Sequence, residues 1–458
     1  MKPIPLLSNG YKSRSSNVTS QTRINCYIET SDDKNAAVAY GTPGLSLDND
    51  FGSIPIRGIY SVGDYYYVVD QDKLYRVNNA RVNEHIGTLL TTSGYVDIAD
   101  NGFDLTIVDG TYGYTWNYAA ETFTKITAAG FPGSSTIAFG DSYILADRPG
   151  TGQFFRSDSY DATTWDALNY ATAETSPDNL VRVYYDHGLL LLFGTKTMEF
   201  WAVVASTGVG YLRSGTAAEY GLAAKWSVAK MNNTVIWLAQ NSLGEVQVMQ
   251  LQGYQPVKVS TYDMDSIFNS YTNPGDATAF SYMHNGHSFY QINFTEDNAS
   301  WLYDGEMAVW SQLKHGDNRH LSNLSAVYNG RILTTAYDSG LIYYIDGDNY
   351  TDNGDPIVME LTSKFSFNNM ERLTIDKLRL DMETGVGIGE TEPQIMLQVS
   401  KDGGHTWGGE RWHTIGMTGV YATWVAWFRL GQAYSWAFRF RISDPVKRVI
   451  LGLWANGS

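Results

Sequence analysis

One hairpin pattern, repeated seven times before residue 346, limits what this chain can fold into more than any other feature. Each copy opens on a Gly or Asn turn, runs through an apolar strand, turns on polar residues and closes with an aromatic-rich strand. The copies are 63–77 (GDYYYVVDQDKLYRV), 102–116 (GFDLTIVDGTYGYTW), 140–156 (GDSYILADRPGTGQFFR) and 188–203 (GLLLLFGTKTMEFWAV). Three more follow at 233–251 (NTVIWLAQNSLGEVQVMQL), 286–303 (GHSFYQINFTEDNASWLY) and 330–345 (GRILTTAYDSGLIYYI). Two strand-forming runs around a Gly-, Asp- or Asn-bearing turn predict a β-hairpin. An all-β repeat of about 40–50 residues predicts propeller blades. The fold expected is all-β: a six- or seven-bladed β-propeller, since the end hairpins can share a blade or lie outside the ring. Runs such as LLLLF and TVIWLA suit inner strands buried on both faces.

Both ends lack the hairpin. Residues 24–30 (INCYIET) and 36–47 (AAVAYGTPGLSL) predict strands, the latter broken at Thr42-Pro43-Gly44. From 358 onwards several strands suggest a second, β-sandwich-like domain, with Phe438, Phe440 and Ile442 alternating against two arginines. Short terminal strands need a sheet to join. The expected division is therefore an N-terminal segment 1–56 joining the second β domain, a propeller 57–354, and a C-terminal domain 355–458.

Charge divides the chain similarly. The net charge is −16, yet residues 355–458 carry eleven basic and eleven acidic side chains, leaving 21 against 37 in residues 1–354. A protein that grips DNA should be basic in stripes, so that binding releases counterions. Such an acidic chain should instead let a polyanion slide past. Cys26 is the single cysteine, which excludes an intrachain disulfide or cysteine-based zinc site. The opening MKPIPLLSNGYKSRSS has no signal-peptide core, and no apolar run approaches 18 residues. Synthesis inside a cell and no membrane insertion by this chain are expected.

The sharpest local motif is 400–407 (SKDGGHTW), an Asp-box. Its Ser400, Asp402, Gly404, Thr406 and Trp407 predict a structural turn, with Asp402 accepting backbone N–H bonds, Trp407 packing beneath, and glycines supplying positive φ. The motif also occurs in sialidase propellers, which makes a glycan-binding or glycan-degrading protein the alternative reading. That would require paired carboxylates, or a Tyr nucleophile with an arginine cluster, and no spacing singles these out. Asp346, Asp348 and Asp352 imitate the start of a calcium loop but lack its twelfth-position Glu, so a solvated linker is expected. His315 and His320 have no Cys partners, and the sequon at Asn293 is read as chance. No catalytic residue, cofactor-binding residue or metal ligand is expected.

The order of parts resembles one family. Residues 24–29 (INCYIE) with 41–45 (GTPGL), 189–203 (LLLLFGTKTMEFWAV), 399–404 (VSKDGG), 427–431 (WFRLG) and 438–446 (FRFRISDPV) resemble the tail nozzle, or packaged-DNA-stabilisation, proteins of short-tailed bacteriophages. The resemblance spans the whole chain. It implies a virion component without enzymatic activity, in a homo-hexameric ring beneath the portal–adaptor complex. That ring would continue the channel for packaged double-stranded DNA without sequence-specific binding, and would dock tailspikes or tail fibres. A ring subunit buries large heterologous interfaces, and 13 Trp with 32 Tyr suit such use.

Overall fold

The computed structural model describes residues 1–7, 11, 20–31, 36–204, 208–215, 217–364, 366–367, 371–387 and 392–457. Each of the seven hairpins supplies the middle two strands of a four-stranded antiparallel blade, so the propeller has seven blades. Blade one runs Gly58–Val62, Tyr65–Asp70, Lys73–Val77 and Asn83–Thr88, and blades two to six follow the same plan. The turns between first and second strands are short and left-handed. Asn285 and Gly286 (φ 49° and 84°) and Asn329 and Gly330 (φ 49° and 71°) are examples. Positive φ at both positions matches the twist of the flanking strands.

The long apolar runs are not innermost. Leu189–Gly194 and Thr234–Gln240 are the second strands of their blades, hidden on both faces by the neighbouring blades. The innermost strands range from three residues at Ala229–Met231 to seven at Leu180–Asp186 and face the axis on one side. Adjacent blades share apolar clusters: Tyr67 of blade one meets Leu105 and Trp116 of blade two, and Phe193 meets Trp237 between blades four and five. Ile59 and Val68 of blade one pack with Leu333 and Ile342 of blade seven, which closes the ring.

Blade seven is completed from the far end of the chain. Its outer strand is Gly44–Asp50, antiparallel to Leu341–Asp346, with Tyr343 opposite Leu47. This differs from the expectation that all of residues 1–56 serve the second domain. A three-stranded last blade would leave an unpaired edge, and the N-terminal strand covers it.

The second body is a sandwich of two sheets around Leu361, Leu378, Trp436, Phe438 and Leu453. One sheet orders Cys26–Ser31, Ala36–Gly41, Val449–Gly457, Leu373–Met382 and Val425–Ala433. The other contains Met359–Thr362, Ser435–Ile442, Gln394–Ser400 and Arg411–Thr414, and it does not stop at the sandwich. Thr22–Ile24 pairs antiparallel with Met359–Thr362 and parallel with Val309–His315, the outer strand of blade six. Propeller and sandwich thus share one continuous sheet. No helix among the described residues is long and apolar enough to cross a membrane.

Candidate functional site

Three places gather polar side chains: the propeller axis, the seam with the sandwich, and the Asp-box turn. At the axis, the inner strands surround a funnel of about 300 Å³ lined by Tyr60, Tyr95, Asp97, Arg182, Trp226 and Ser281. Its floor is crossed by side chains. Arg182 of blade four reaches Asp97 of blade two at 3.2 Å and lies 5.0 Å from the Trp226 ring centroid. Trp226 meets Tyr95 edge-on, and Asn323 of blade seven donates to the Tyr95 hydroxyl at 3.0 Å. Lys225 Nζ donates to Ser135 Oγ at 2.7 Å, and Ser135 Oγ donates to Asp147 at 2.8 Å. Five blades are tied across the axis, so it is a stopper and not a conduit.

Burial raises the Asp97 pKa against the opposing pull of Arg182, and burial lowers that of Lys225. Tyr60 is pushed up by burial, which keeps its hydroxyl protonated and a poor nucleophile. Nothing in this arrangement matches the paired-carboxylate or activated-tyrosine chemistry of glycoside hydrolysis.

The seam is held by the short strand Thr22–Ile24 and the residue after it. Arg23, fully buried, donates through Nη2 to the Trp310 carbonyl at 2.9 Å. Asn25, at φ 53°, donates to the carbonyls of Lys314 and Val358 at 2.9 and 3.0 Å and accepts from Lys314 N–H at 2.8 Å. One side chain thereby joins blade six to the sandwich.

Beside the seam, the structure separates the residues of the calcium-like sequence. Asp346 accepts from Ser46 at 2.9 Å, while Asp352 is buried, its Oδ2 3.8 Å from both His315 and His320. The solvated-linker expectation fails at Asp352, because Thr351–Asp352 and Asp355–Pro356 form a small bridge onto blade seven. No group of three or more His, Cys, Asp or Glu side chains among the described residues is placed to hold a metal ion. Asn293 is fully buried in blade six, so its sequon is inaccessible.

The Asp-box residues converge in one turn at the end of Gln394–Ser400, in the sandwich and remote from the axis. Ser400 Oγ donates to Asp402 at 2.6 Å and accepts from Gly404 N–H at 2.8 Å. Asp402 accepts from the backbone of His405 at 3.0 Å and Thr406 at 2.9 Å, and from the Thr406 hydroxyl at 2.6 Å. Gly403 and Gly404 take φ of 75° and 97°. Trp407 is half-buried, 4.0 Å from the Arg439 guanidinium.

Hydrogen bonds from Ser400 and Thr406 hold the Asp402 carboxyl well below the usual range. Its folded-state pKa is depressed, so the stabilisation is present above the ordinary carboxylate pKa of about 4 and fades as pH falls below it. His405 and Thr406 are exposed, so water can replace the carboxylate. Asp402→Ala is expected to cost about 0.5–1 kcal/mol at pH 7, with parent and variant melting temperatures converging in acid. Equal stability at pH 7 would remove the carboxylate from the turn's energetics.

Residues 2–350 match the family described as bacteriophage P22 Gp10, beta-propeller, and residues 358–458 match bacteriophage P22 Gp10, beta-sandwich. The chain belongs to the P22 Gp10 family. Its two family segments meet between 350 and 358, where the chain leaves blade seven for the sandwich. Membership makes it a structural phage tail protein of the stabilisation type.

Among solved structures, the chain is similar to the N-terminal domain of Nup159, at 8% identity and TM-score 0.40, over 71% of this chain and 98% of that one. The Neurospora crassa Pan2 WD40 domain gives 10% identity and TM-score 0.43, over 67% and 95%. An extracellular domain of the putative one component system BT4673 from B. thetaiotaomicron gives 9% and 0.45, over 81% and 47%. No curated protein matches.

Sequence reasoning located the Asp-box and missed the axial network. Asp97 and Arg182 lie 85 residues apart, and nothing local to either predicts their meeting.

Proposed function

We propose that this chain is a tail nozzle subunit: six copies form a ring beneath the portal–adaptor complex, extend the DNA channel, help retain packaged DNA and dock tailspikes or fibres. The observation that carries this reading is the ordered match of both modules to the P22 Gp10 family across nearly the whole chain. The continuous sheet through Thr22–Ile24 supports it physically, because a wall under genome pressure needs its two bodies fixed to one another. The stoppered axis supports it too, since DNA would then pass between subunits and not through a propeller. The role needs no catalysis, and residues 1–354 supply the negative charge that lets DNA slide.

Native mass spectrometry of the purified chain, alone and with portal–adaptor complexes, tests this. Six copies bound to the complex are expected; a chain that stays monomeric and ignores it would overturn the reading. The assembled ring is expected to show no measurable affinity for duplex DNA at about 0.15 M salt, where screening acts over roughly 8 Å. Anisotropy titration checks this, and tight, salt-resistant binding would point to a DNA clamp instead.

A further inference from the structure

The sandwich carries an unusual surface at one edge. Its outer sheet ends in the unpaired strand Val425–Ala433, where Phe428 is 60% exposed, and Trp424 just before it is 59% exposed. Two cations of the adjacent strand Leu373–Met382 lie on these rings. Arg379 is 4.0 Å from the Trp424 centroid, and Lys377 is 5.5 Å from that of Phe428. Trp412, 54% exposed, lies on the edge strand of the other sheet, and the two edges are joined by Trp427 Nε1 donating to the Arg411 carbonyl at 3.1 Å. Trp412 and Trp424 are the exposed tryptophans among the described residues. Asp376 is the exposed carboxylate on the same strand, but neither Lys377 nor Arg379 forms an ion pair among the described residues.

A complementary surface lies on blade three. Residues 157–181 contain Asp158, Asp161, Asp166, Glu174 and Asp178, and no Lys, Arg or His. The outer strand Asp161–Thr172, an unpaired edge of twelve residues, makes up just under half of this segment, with Asp158 just before it and Glu174 just after. Leu168 is 75% exposed there, Tyr170 on the same strand is exposed too, and Tyr160 is exposed in the turn that precedes it. None of the five carboxylates forms an ion pair among the described residues; Asp178 is turned to the Lys196 and Thr197 N–H groups and Asp161 to Thr163 and Thr164, while Asp158, Asp166 and Glu174 are exposed. One edge therefore offers aromatics with cations, the other aromatics with carboxylates. Aromatic and Arg side chains mark interface cores, and opposite potentials set register and partner.

Their placement decides between a contact within one chain and a contact between chains. The sandwich grows from blade six, and blade three is three blades away in a ring of seven, on the far side. One chain cannot close this contact on itself. A contact between two different patches is heterologous, and copies joined that way form a ring when the rotation closes.

We propose that the cationic aromatic face at Lys377, Arg379, Trp424 and Phe428 docks onto the acidic outer strand of blade three of a second copy of this chain. This rests on the ring reading and names its contact. The test is the assembly state of full-length chains by native mass spectrometry and negative-stain imaging. The double variants Lys377→Glu with Arg379→Glu, and Asp158→Lys with Asp166→Lys, are each expected to convert rings to folded monomers with unchanged circular dichroism. All four substitutions in one chain should restore the ring, because the charges are exchanged. Trp424→Ala, which changes an exposed side chain, should weaken assembly without touching the fold. Double variants that assemble like the parent would overturn the contact and leave the ring standing, even if the face then captured a sulfated glycan or another protein. A parent chain that never assembles would overturn the ring reading itself.

Discussion

A chain beginning at residue 57 is expected to lose its fold altogether. The removed segment serves both bodies: Gly44–Asp50 closes blade seven, Thr22–Ile24 joins blade six to the sandwich, and Cys26–Ser31 with Ala36–Gly41 extends the outer sheet. Tyr27, Ile28 and Leu45 are buried in these strands, and Leu6 is buried in the sandwich core. At about 1.5–3 kcal/mol per large apolar side chain, their loss is on the order of 10 kcal/mol, an upper estimate because unfolded chains are partly compact. Net stabilities of roughly 5–15 kcal/mol leave little after such a loss. The truncation also bares Leu341–Asp346, which carries Ile342 and Tyr343, as an unpaired edge, a template for aggregation. Soluble yield and far-UV circular dichroism check the expectation. A soluble 57–458 fragment with a cooperative melt would show that the N-terminal strands decorate the fold without holding it.

What could be read from the sequence, and what could not, follows from how local each feature is. The middle strands of all seven blades were legible because an apolar run, a turn and a second run lie within about 20 residues. Gly44–Asp50 was legible as a strand but not as part of blade seven, because its partner Tyr343 is almost 300 positions away and GLSLDND carries no mark of that pairing. Ala229–Met231 was invisible, since three residues give no period. The stretch 346–356 reads as punctuation from its Gly, Asp and Asn content, yet Asp352 is buried there because the chain folds back along Leu45. Asp402 and its neighbours were legible because the Asp-box closes within eight residues and each of its hydrogen bonds spans at most four positions. Trp424 and Phe428 were not, for a sequence does not separate an aromatic that fills a core from one that waits at a surface.

The strength of the connection between the two bodies can be measured from inside the sandwich. Trp436 is fully buried, stacks 5.9 Å from Phe438 at an interplanar angle of 10°, and donates from Nε1 to the Leu373 carbonyl at 3.0 Å. It lies on Ser435–Ile442, which pairs on both sides within the sheet that continues into blade six. Trp436→Ala should cost about 3–5 kcal/mol through lost burial and the cavity left behind. Separate domains ordinarily melt in separate steps. Here Thr22–Ile24 makes the sandwich and the propeller one sheet, so the loss is expected to appear in a single transition. At about 2.1 cal/mol/K per residue, unfolding 458 residues together changes entropy by roughly 1 kcal/mol/K, and the melting temperature should fall by roughly 3–5 °C. Trp436→Phe, which keeps the ring stack and loses the hydrogen bond, should fall by less. Differential scanning calorimetry distinguishes the outcomes. A new low-temperature peak with the main peak unmoved would mean that the sandwich unfolds alone, and that the shared strand does not couple the body proposed to contact the next subunit to the propeller it grows from.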